Sequence, residues 1–147
     1  MIENPLISSF IILVLLVISA FFSGSETALT AASEGRIHQL SKKGNHSAGT
    51  ILMLRERKER LIGAILLGNN LVNILASVLA TGILLHHFGD AGIIYATLVM
   101  TFLILIFAEV LPKTYAFCHA DRTALAVAPL VKPIVIIFAP ITHAIYL

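Results

Sequence analysis

Long stretches with almost no charge restrict this chain to folds that tolerate lipid. Residues 5–22 and 61–85 hold no charged side chain, and residues 93–111 hold only Glu109. Eighteen residues of α-helix reach about 27 Å, close to the roughly 30 Å of a bilayer's hydrocarbon core. With 58% hydrophobic and 12% charged residues, the chain has too little charge to cover a soluble domain. We therefore predict an all-α membrane protein. The predicted spans cover about residues 5–31, 61–86 and 92–112.

A fourth apolar stretch, residues 123–147, differs from the spans because prolines and a lysine interrupt it. The prolines are Pro129, Pro133 and Pro140, and Lys132 lies among them. Each internal proline removes a backbone donor and clashes with the preceding turn. Lipid-exposed backbone tolerates this only where the freed carbonyls find partners. We expect three transmembrane helices followed by a proline-broken juxtamembrane helical belt, and a fourth spanning helix is the alternative.

The distribution of basic residues predicts the orientation in the membrane. The loop at residues 34–60 holds seven of the ten Lys and Arg residues, whereas the N-terminal segment and the link at residues 86–92 hold none. Short loops rich in Lys and Arg stay on the cytoplasmic side. We predict a multi-pass protein of the cell membrane, with its N-terminus outside and its C-terminal part and belt at the cytoplasmic face. The basic loop is either solvated or an amphipathic element on anionic lipid.

Other kinds of chemistry find little support in the sequence. The single cysteine, Cys118, cannot form a disulfide within the chain and is expected to pack. The six histidines are scattered without the spacing of a metal site. There is no nucleophile elbow and no nucleotide-binding glycine loop, so we do not expect an enzyme. The positive-inside bias already explains the basic loop, so we expect no nucleic-acid partner.

Polar side chains recur at helical spacing within the first two spans. In the first, five hydroxyl or carboxylate groups lie three or four residues apart and form one stripe. In the second, polar residues recur every four residues, with one further asparagine beside them. Asparagine is costly in lipid and usually finds a partner helix. The two sets are Ser19, Ser23, Glu26, Thr27 and Thr30, and Asn69, Asn70, Asn73, Ser77 and Thr81.

Glu109 is the one charge in the third span, where an ionised carboxylate costs about 2.5–3.5 kcal/mol or more near the bilayer centre. One interpretation pairs Glu109 with Lys113, four residues later. Another groups it with the polar side chains of the other two spans, because each set lies beside a helix-disrupting residue: Gly24, Gly68 or Pro112. Hydroxyl, amide and carboxylate oxygens suit a hard cation such as Mg²⁺, Ca²⁺ or Na⁺. A bound cation would also favour the ionised glutamate.

Three motifs also resemble a known family. "FFSGSETAL" ends the first span, "LLGNNLVNI" opens the second and "AEVLPKTYA" closes the third. Their order and spacing are similar to the transmembrane (DUF21) domain of the CorC and cyclin M (CNNM) magnesium transporters. The resemblance covers nearly the whole chain, residues 1–147, as one domain. It implies a homodimer with a juxtamembrane belt that exports Mg²⁺, coupled to Na⁺ entry. It also implies a cytoplasmic CBS-pair module, which we expect to lie outside these 147 residues.

The resemblance also implies a set of ligands. The magnesium site falls on Ser23 in "SGSE", Asn70 in "GNN" and Glu109 in "EVLPK", with main-chain carbonyls near Ser23 and Gly68 as further ligands. Second-tier candidates, as cavity lining or sodium ligands, are Ser19, Ser25, Glu26, Asn69 and Asn73. The alternative function is a membrane anchor and dimerisation module for a cytoplasmic regulatory domain, in which these side chains only hold helices together.

Overall fold

The computed structural model describes residues 5–145, and that part of the chain is helical, with short turns and no strand. The elements are α1 (Pro5–Ala31), α2 (Glu34–Lys42), α3 (His46–Glu56), α4 (Lys58–Phe88), α5 (Ala91–Leu103), a π-helical segment (Ile104–Val110), α6 (Leu111–Cys118) and α7 (Ala120–Ile145).

Four helical stretches in the described residues are long and apolar enough to cross a membrane. They are Leu6–Ala31, Lys58–Phe88, Ala91–Cys118 and Ala120–Ile141. The third comprises α5, the π-helical segment and α6, which together form one rod. Large apolar side chains are exposed along all four, as expected of helices whose outer faces meet lipid. The chain is therefore a multi-pass integral membrane protein, and each of the three predicted spans lies within one of these stretches.

The break predicted within residues 123–147 is not found in the described residues. α7 is a continuous helix that contains Pro129, Pro133 and Pro140. The three prolines are exposed and are spaced by four and seven residues, so they share one face of α7. The backbone distortion that each proline requires is therefore confined to the outer side, where a helix absorbs it by curving. Length and composition thus permit α7 to span, and the number of spans stays a prediction.

The buried residues form two clusters. The larger lies at the end of the bundle that carries the short basic helices α2 and α3. It joins the end of α1 to α2, α3, the start of α4, α6 and the first half of α7. α7 contributes Ala124, Ala128 and Val131, which are fully buried. The smaller cluster lies further along the long helices and includes Leu16, Ala76 and Met100. Ser19 on α1, and Asn69 with Asn73 on α4, lie along their helices between residues of the two clusters.

Polar side chains satisfy backbone groups where α1 ends. The Arg55 guanidinium donates from Nε to the carbonyl of Leu29, at 2.8 Å, and from Nη2 to that of Ala32, at 2.6 Å. These carbonyls have no partner within α1 because a helix leaves its last four acceptors open. On the other side, the Asp121 carboxylate accepts the backbone N–H of Ser33 at 2.6 Å. α3 and α7 are thereby fastened to the end of α1.

The turn between α4 and α5 depends on two glycines. Gly89 ends α4 with φ of 65°, in the left-handed region that glycine adopts without strain. Gly92 lies against the last turns of α4, so that a Cβ added to it would overlap the carbonyl oxygen of Leu84. This contact is with backbone and cannot be relieved by a side-chain rotation. A residue without a side chain at Gly92 therefore lets α5 fold back closely along α4.

We predict that Gly92→Ala destabilises the fold and that Gly35→Ala does not. The methyl group at position 92 overlaps backbone, and overpacking typically costs about 1–3 kcal/mol or more. Gly35 lies in α2 with nothing within 4 Å of an added Cβ, so alanine there should stabilise by up to about 1 kcal/mol through helix propensity. Thermal unfolding of both variants in detergent measures the difference. Equal stability of the two variants would contradict the close packing of α5 on α4.

Candidate functional site

The backbone around Glu109 is a π-helix. From Ile104 to Val110 the helix is widened, and the N–H of Leu111 donates to Ile106, five residues back. Pro112 follows in the first turn of α6, where it needs no backbone donor. Its ring would clash with the carbonyl of Ala108 in a regular α-helix, and the extra residue in the preceding turns relieves that clash. Short π-helical segments occur frequently at functional sites, and this one carries Glu109.

Groups from all three predicted spans converge on the Glu109 carboxylate. Its Oε1 accepts the hydroxyl of Ser23 from α1, at 3.4 Å, and the Nδ2 amide of Asn69 from α4, at 3.2 Å. Its Oε2 lies 3.2 Å from the Nζ of Lys113, one turn further along its own rod. The side chain of Glu109 is 29% exposed and that of Lys113 is 46% exposed. Both oxygens of the carboxylate are thus paired, and the side chain is partly exposed.

A second, fully buried contact fixes the amide of Asn69. The hydroxyl of Ser19 donates to Oδ1 of Asn69 at 2.5 Å, and both side chains are buried. Ser19 lies one turn before Ser23 on α1, so the two serines face α4 and the π-helical segment together. With Oδ1 held by Ser19, the NH₂ group of Asn69 is directed to Glu109. The result is a chain of hydrogen bonds from Ser19 through Asn69 to the carboxylate.

The groups of this cluster that could bind a cation all do so through oxygen atoms. The cluster offers a carboxylate, hydroxyls and an amide carbonyl, and the described residues contain no group of three His, Cys, Asp or Glu side chains that could hold a metal. Such a set favours hard cations over zinc or copper. In the geometry described, Ser23, Asn69 and Lys113 all donate to Glu109. A cation could bind here only if the Lys113 ammonium moved away and the hydroxyl and amide turned their oxygens inward.

Comparison with known proteins identifies the family. Residues 10–146 match the model of the cyclin M transmembrane N-terminal domain. The chain belongs to the cyclin M (CNNM) transmembrane domain family. The resemblance inferred from the three motifs is therefore confirmed.

Curated relatives of this cyclin M domain come from distant organisms. It is 45% identical over 124 residues to the UPF0053 inner membrane protein YfjD of Escherichia coli K12, covering 84% of the chain and 29% of that relative. It is 43% identical over 138 residues to a UPF0053 protein of Haemophilus influenzae, covering 93% and 33%. A chloroplastic DUF21 domain-containing protein of Arabidopsis thaliana is 36% identical over 135 residues, covering 92% and 20%. The chain therefore spans about a third or less of these relatives.

The remaining predicted site residues of the cyclin M domain differ in how deeply they are buried. Asn70 is exposed on α4, whereas its neighbour Asn69 bonds Glu109. Gly68 is buried, and a Cβ there would lie 3.0 Å from the ring of Phe22. The Oγ of Ser25 and the Oδ1 of Asn73 are buried and have no hydrogen-bond partner in the described structure. Glu26 is half-buried on α1. The metal-binding roles of all these residues stay predictions.

Asn69, a second-tier candidate in the motif resemblance, is the asparagine that contacts Glu109. The sequence did contain a signal for it. Asn69 begins the four-residue repeat that continues through Asn73 and Ser77, whereas Asn70 lies outside that repeat. Residues four apart share a helix face, so the repeat favours Asn69 as the member that faces the bundle. The pairing of Glu109 with Lys113, which was one of the two interpretations of this charge, is present in the structure.

We predict that Lys113→Met strengthens cation binding at Glu109. The Lys113 ammonium occupies one face of the carboxylate, so an incoming cation must displace it. Ion pairs at i and i+4 contribute about 0.3–0.5 kcal/mol when exposed, so the affinity for Mg²⁺ should rise about twofold or somewhat more in this half-exposed pair. Calorimetric titration measures it, with Lys132→Met on α7 as the charge-matched control. An unchanged or weaker affinity in Lys113→Met would contradict the competition.

Proposed function

We propose that this cyclin M domain binds and transports Mg²⁺, with Glu109 as its charge-bearing ligand. The observation that carries the proposal is the convergence of Ser23, Asn69 and Glu109, from three separate helices, within the apolar bundle. A carboxylate in such a place is costly, and a bound cation would offset that cost. Membership of the cyclin M family supports the same reading.

The coordination chemistry of Mg²⁺ suits this set of groups. Magnesium takes six oxygens in near-octahedral geometry and gives up its water reluctantly, so protein sites supply few carboxylates and leave several waters. Glu109 supplies the charge, and hydroxyl and amide oxygens of the candidate residues supply neutral ligands. Among them Asn70 and the carbonyl of Gly68 complete the proposed shell after a rearrangement of α4 relative to the π-helical segment. We propose Mg²⁺ export driven by Na⁺ entry.

The proposed topology has three spans and α7 as a belt at the cytoplasmic face. It is supported by the packing of α7, whose buried Ala124, Ala128 and Val131 join the cluster that contains α2 and α3. Those short helices carry basic residues that favour the cytoplasmic side. The N-terminus is then outside, and the ion loads from the cytoplasm. A homodimer is part of the same proposal.

A second function is favoured by the hydrogen bonds themselves. Ser19 with Asn69, and Ser23 with Glu109, join different helices in pairs. Interhelical bonds of this kind stabilise helix association in membranes by about 0.6 kcal/mol each on average. A membrane anchor and dimerisation module for a cytoplasmic domain would use them as such. It would need no cation at Glu109.

We predict that Glu109→Gln abolishes Mg²⁺ binding while the fold is kept. Glutamine retains the size of the side chain and its acceptor oxygen, and it removes the charge that holds a divalent cation. Calorimetric titration of the purified chain with Mg²⁺ should show saturable heat in the parent and in Glu59→Gln, an exposed control at the start of α4. Na⁺ should weaken the parent's affinity if it shares the site. Saturable heat of normal affinity in Glu109→Gln would rule out this carboxylate as the ligand, and its absence from the folded parent would favour the anchor.

We predict that a cysteine in place of Lys132 reacts with a membrane-impermeant thiol reagent. Lys132 lies exposed in the middle of α7, so a belt places it at the interface with water and a spanning α7 places it near the bilayer centre. The test uses the chain in liposomes with Cys118→Ser, since Cys118 is exposed. Ile136→Cys, one turn further along α7 and also exposed, is the matched control. Failure of Lys132→Cys to react would favour four spans.

A further inference from the structure

A groove leads away from Glu109 between α4 and α5, and hydroxyl groups line it. Its volume is about 470 Å³, space for about fifteen waters at the liquid's share of roughly 30 Å³ each. Two hydroxyls come from α4, two from α5, and Glu109 closes one end. The hydroxyls are those of Ser77, Thr81, Thr97 and Thr101. None of them belongs to the cluster that surrounds the carboxylate.

The four hydroxyls all point their protons away from the groove. Each donates to the carbonyl four residues earlier in its own helix: Ser77 to Asn73 at 2.9 Å, Thr81 to Ser77 at 2.8 Å, Thr97 to Ile93 at 2.8 Å and Thr101 to Thr97 at 2.5 Å. A hydroxyl has one donor and two acceptor lone pairs. Since each donor is used within its own helix, these four hydroxyls offer only acceptors to the groove. The remaining neutral lining residues are apolar: Ala96, Met100, Ile104 and Leu105.

A further acceptor lies beside the groove, at Asn73. Oδ1 of Asn73 is buried and has no hydrogen-bond partner in the described part of the chain. It lies one turn before Ser77, and both residues line an adjoining cavity on the other side of the same α4 stripe. A buried amide oxygen without a donor costs free energy, so the position favours a ligand that brings donors or positive charge.

We propose that this groove is a water-filled path for a hydrated hard cation between Glu109 and the far end of α4 and α5. The water molecules around Mg²⁺ are held tightly, and they present hydrogen-bond donors outward. The acceptor oxygens of the lining are complementary to such a surface, whereas an anion or a solute that presents only acceptors would find no partner. The inference rests on the proposed function, because it supplies the route by which an ion at Glu109 leaves.

The position of the hydroxyls along the helices fits a path rather than a second compact site. Thr97 precedes Glu109 by twelve residues, which corresponds to about 18 Å of helix. Thr97 and Thr101 are both exposed, as is the apolar neighbour Phe102. The groove carries no charged group other than Glu109, so an ion in it is solvated without being trapped.

Cysteine accessibility tests whether water fills the groove. In the Cys118→Ser chain reconstituted in liposomes, Thr101→Cys and Thr97→Cys should react with a membrane-impermeant methanethiosulfonate reagent. Phe102→Cys, exposed on the same helix but outside the groove, should react at least about tenfold more slowly, because thiolate forms in water and not in lipid. Millimolar Mg²⁺ should slow the reaction at Thr101→Cys. Equal rates at positions 101 and 102, or rates that Mg²⁺ leaves unchanged, would overturn the proposal.

Isosteric variants separate this proposal from the proposed function. Thr97→Val with Thr101→Val removes two acceptors and keeps the shape. We expect Mg²⁺ flux into liposomes to fall about tenfold, the loss expected from a hydrogen bond to a charged species, while the calorimetric affinity for Mg²⁺ stays that of the parent. The control is Thr50→Val on α3, which removes the same kind of bond, to the carbonyl of His46 at 3.0 Å. It should change neither the Mg²⁺ flux nor the Mg²⁺ affinity.

The outcomes differ according to which proposal fails. Parental flux in the double variant, or loss of its Mg²⁺ affinity, overturns the groove as a path. A parent that binds no Mg²⁺ refutes the proposed function, and the cysteine test then reports on the groove alone, where reactivity insensitive to Mg²⁺ overturns the path as well.

Discussion

The pairing of the Glu109 carboxylate determines how the helices of this domain meet. A carboxylate among apolar helices needs donors or positive charge, and here a hydroxyl from α1, an amide from α4 and the ammonium of Lys113 supply them. These contacts require α1 to approach both α4 and the α5–α6 rod at the same depth. Gly24 of α1 faces Pro112 at this depth, where an added Cβ would lie in ordinary van der Waals contact with the carbonyl oxygen of Pro112, at 3.6 Å.

The hydrogen bonds around the carboxylate differ in length. Charge-assisted hydrogen bonds typically measure about 2.7–2.9 Å, whereas the bonds to Oε1 of Glu109 measure 3.2 and 3.4 Å. The bond from Ser19 to Asn69, at 2.5 Å, is short and buried. α1 and α4 are thus joined firmly by a neutral bond, and the π-helical segment with its charge is held loosely against them. Movement of that segment would break these two longer bonds and disturb the packing of Ala108 in the smaller cluster, while the bond from Ser19 to Asn69 would stay in place.

The sequence predicts the composition of this site better than its arrangement. Spacings of three and four residues on α1 and α4 identify Ser19, Ser23 and Asn69 as members of inward stripes, because helical periodicity is local. The choice between Asn69 and Asn70 depends on how α4 is rotated about its axis, which is settled by packing such as that of Phe22 on Gly68. The same limit applies to α7. Its prolines predict a break, but they share the exposed face, and the buried alanines on the opposite face keep the helix continuous.

The two polar surfaces that meet at Glu109 are opposite in character, and under the proposed transport this opposition has a consequence. The carboxylate faces donors, while the groove beyond it presents acceptors. A cation that enters must displace the Lys113 ammonium, and a cation that leaves toward the groove exchanges the carboxylate for neutral oxygens. The ammonium and the amide of Asn69 can then return, so Glu109 is not left unpaired in the apolar bundle at any stage. The Lys113 ammonium thereby lowers the free-energy cost of the state in which no ion is bound at Glu109. A transporter must pass through that state in every cycle.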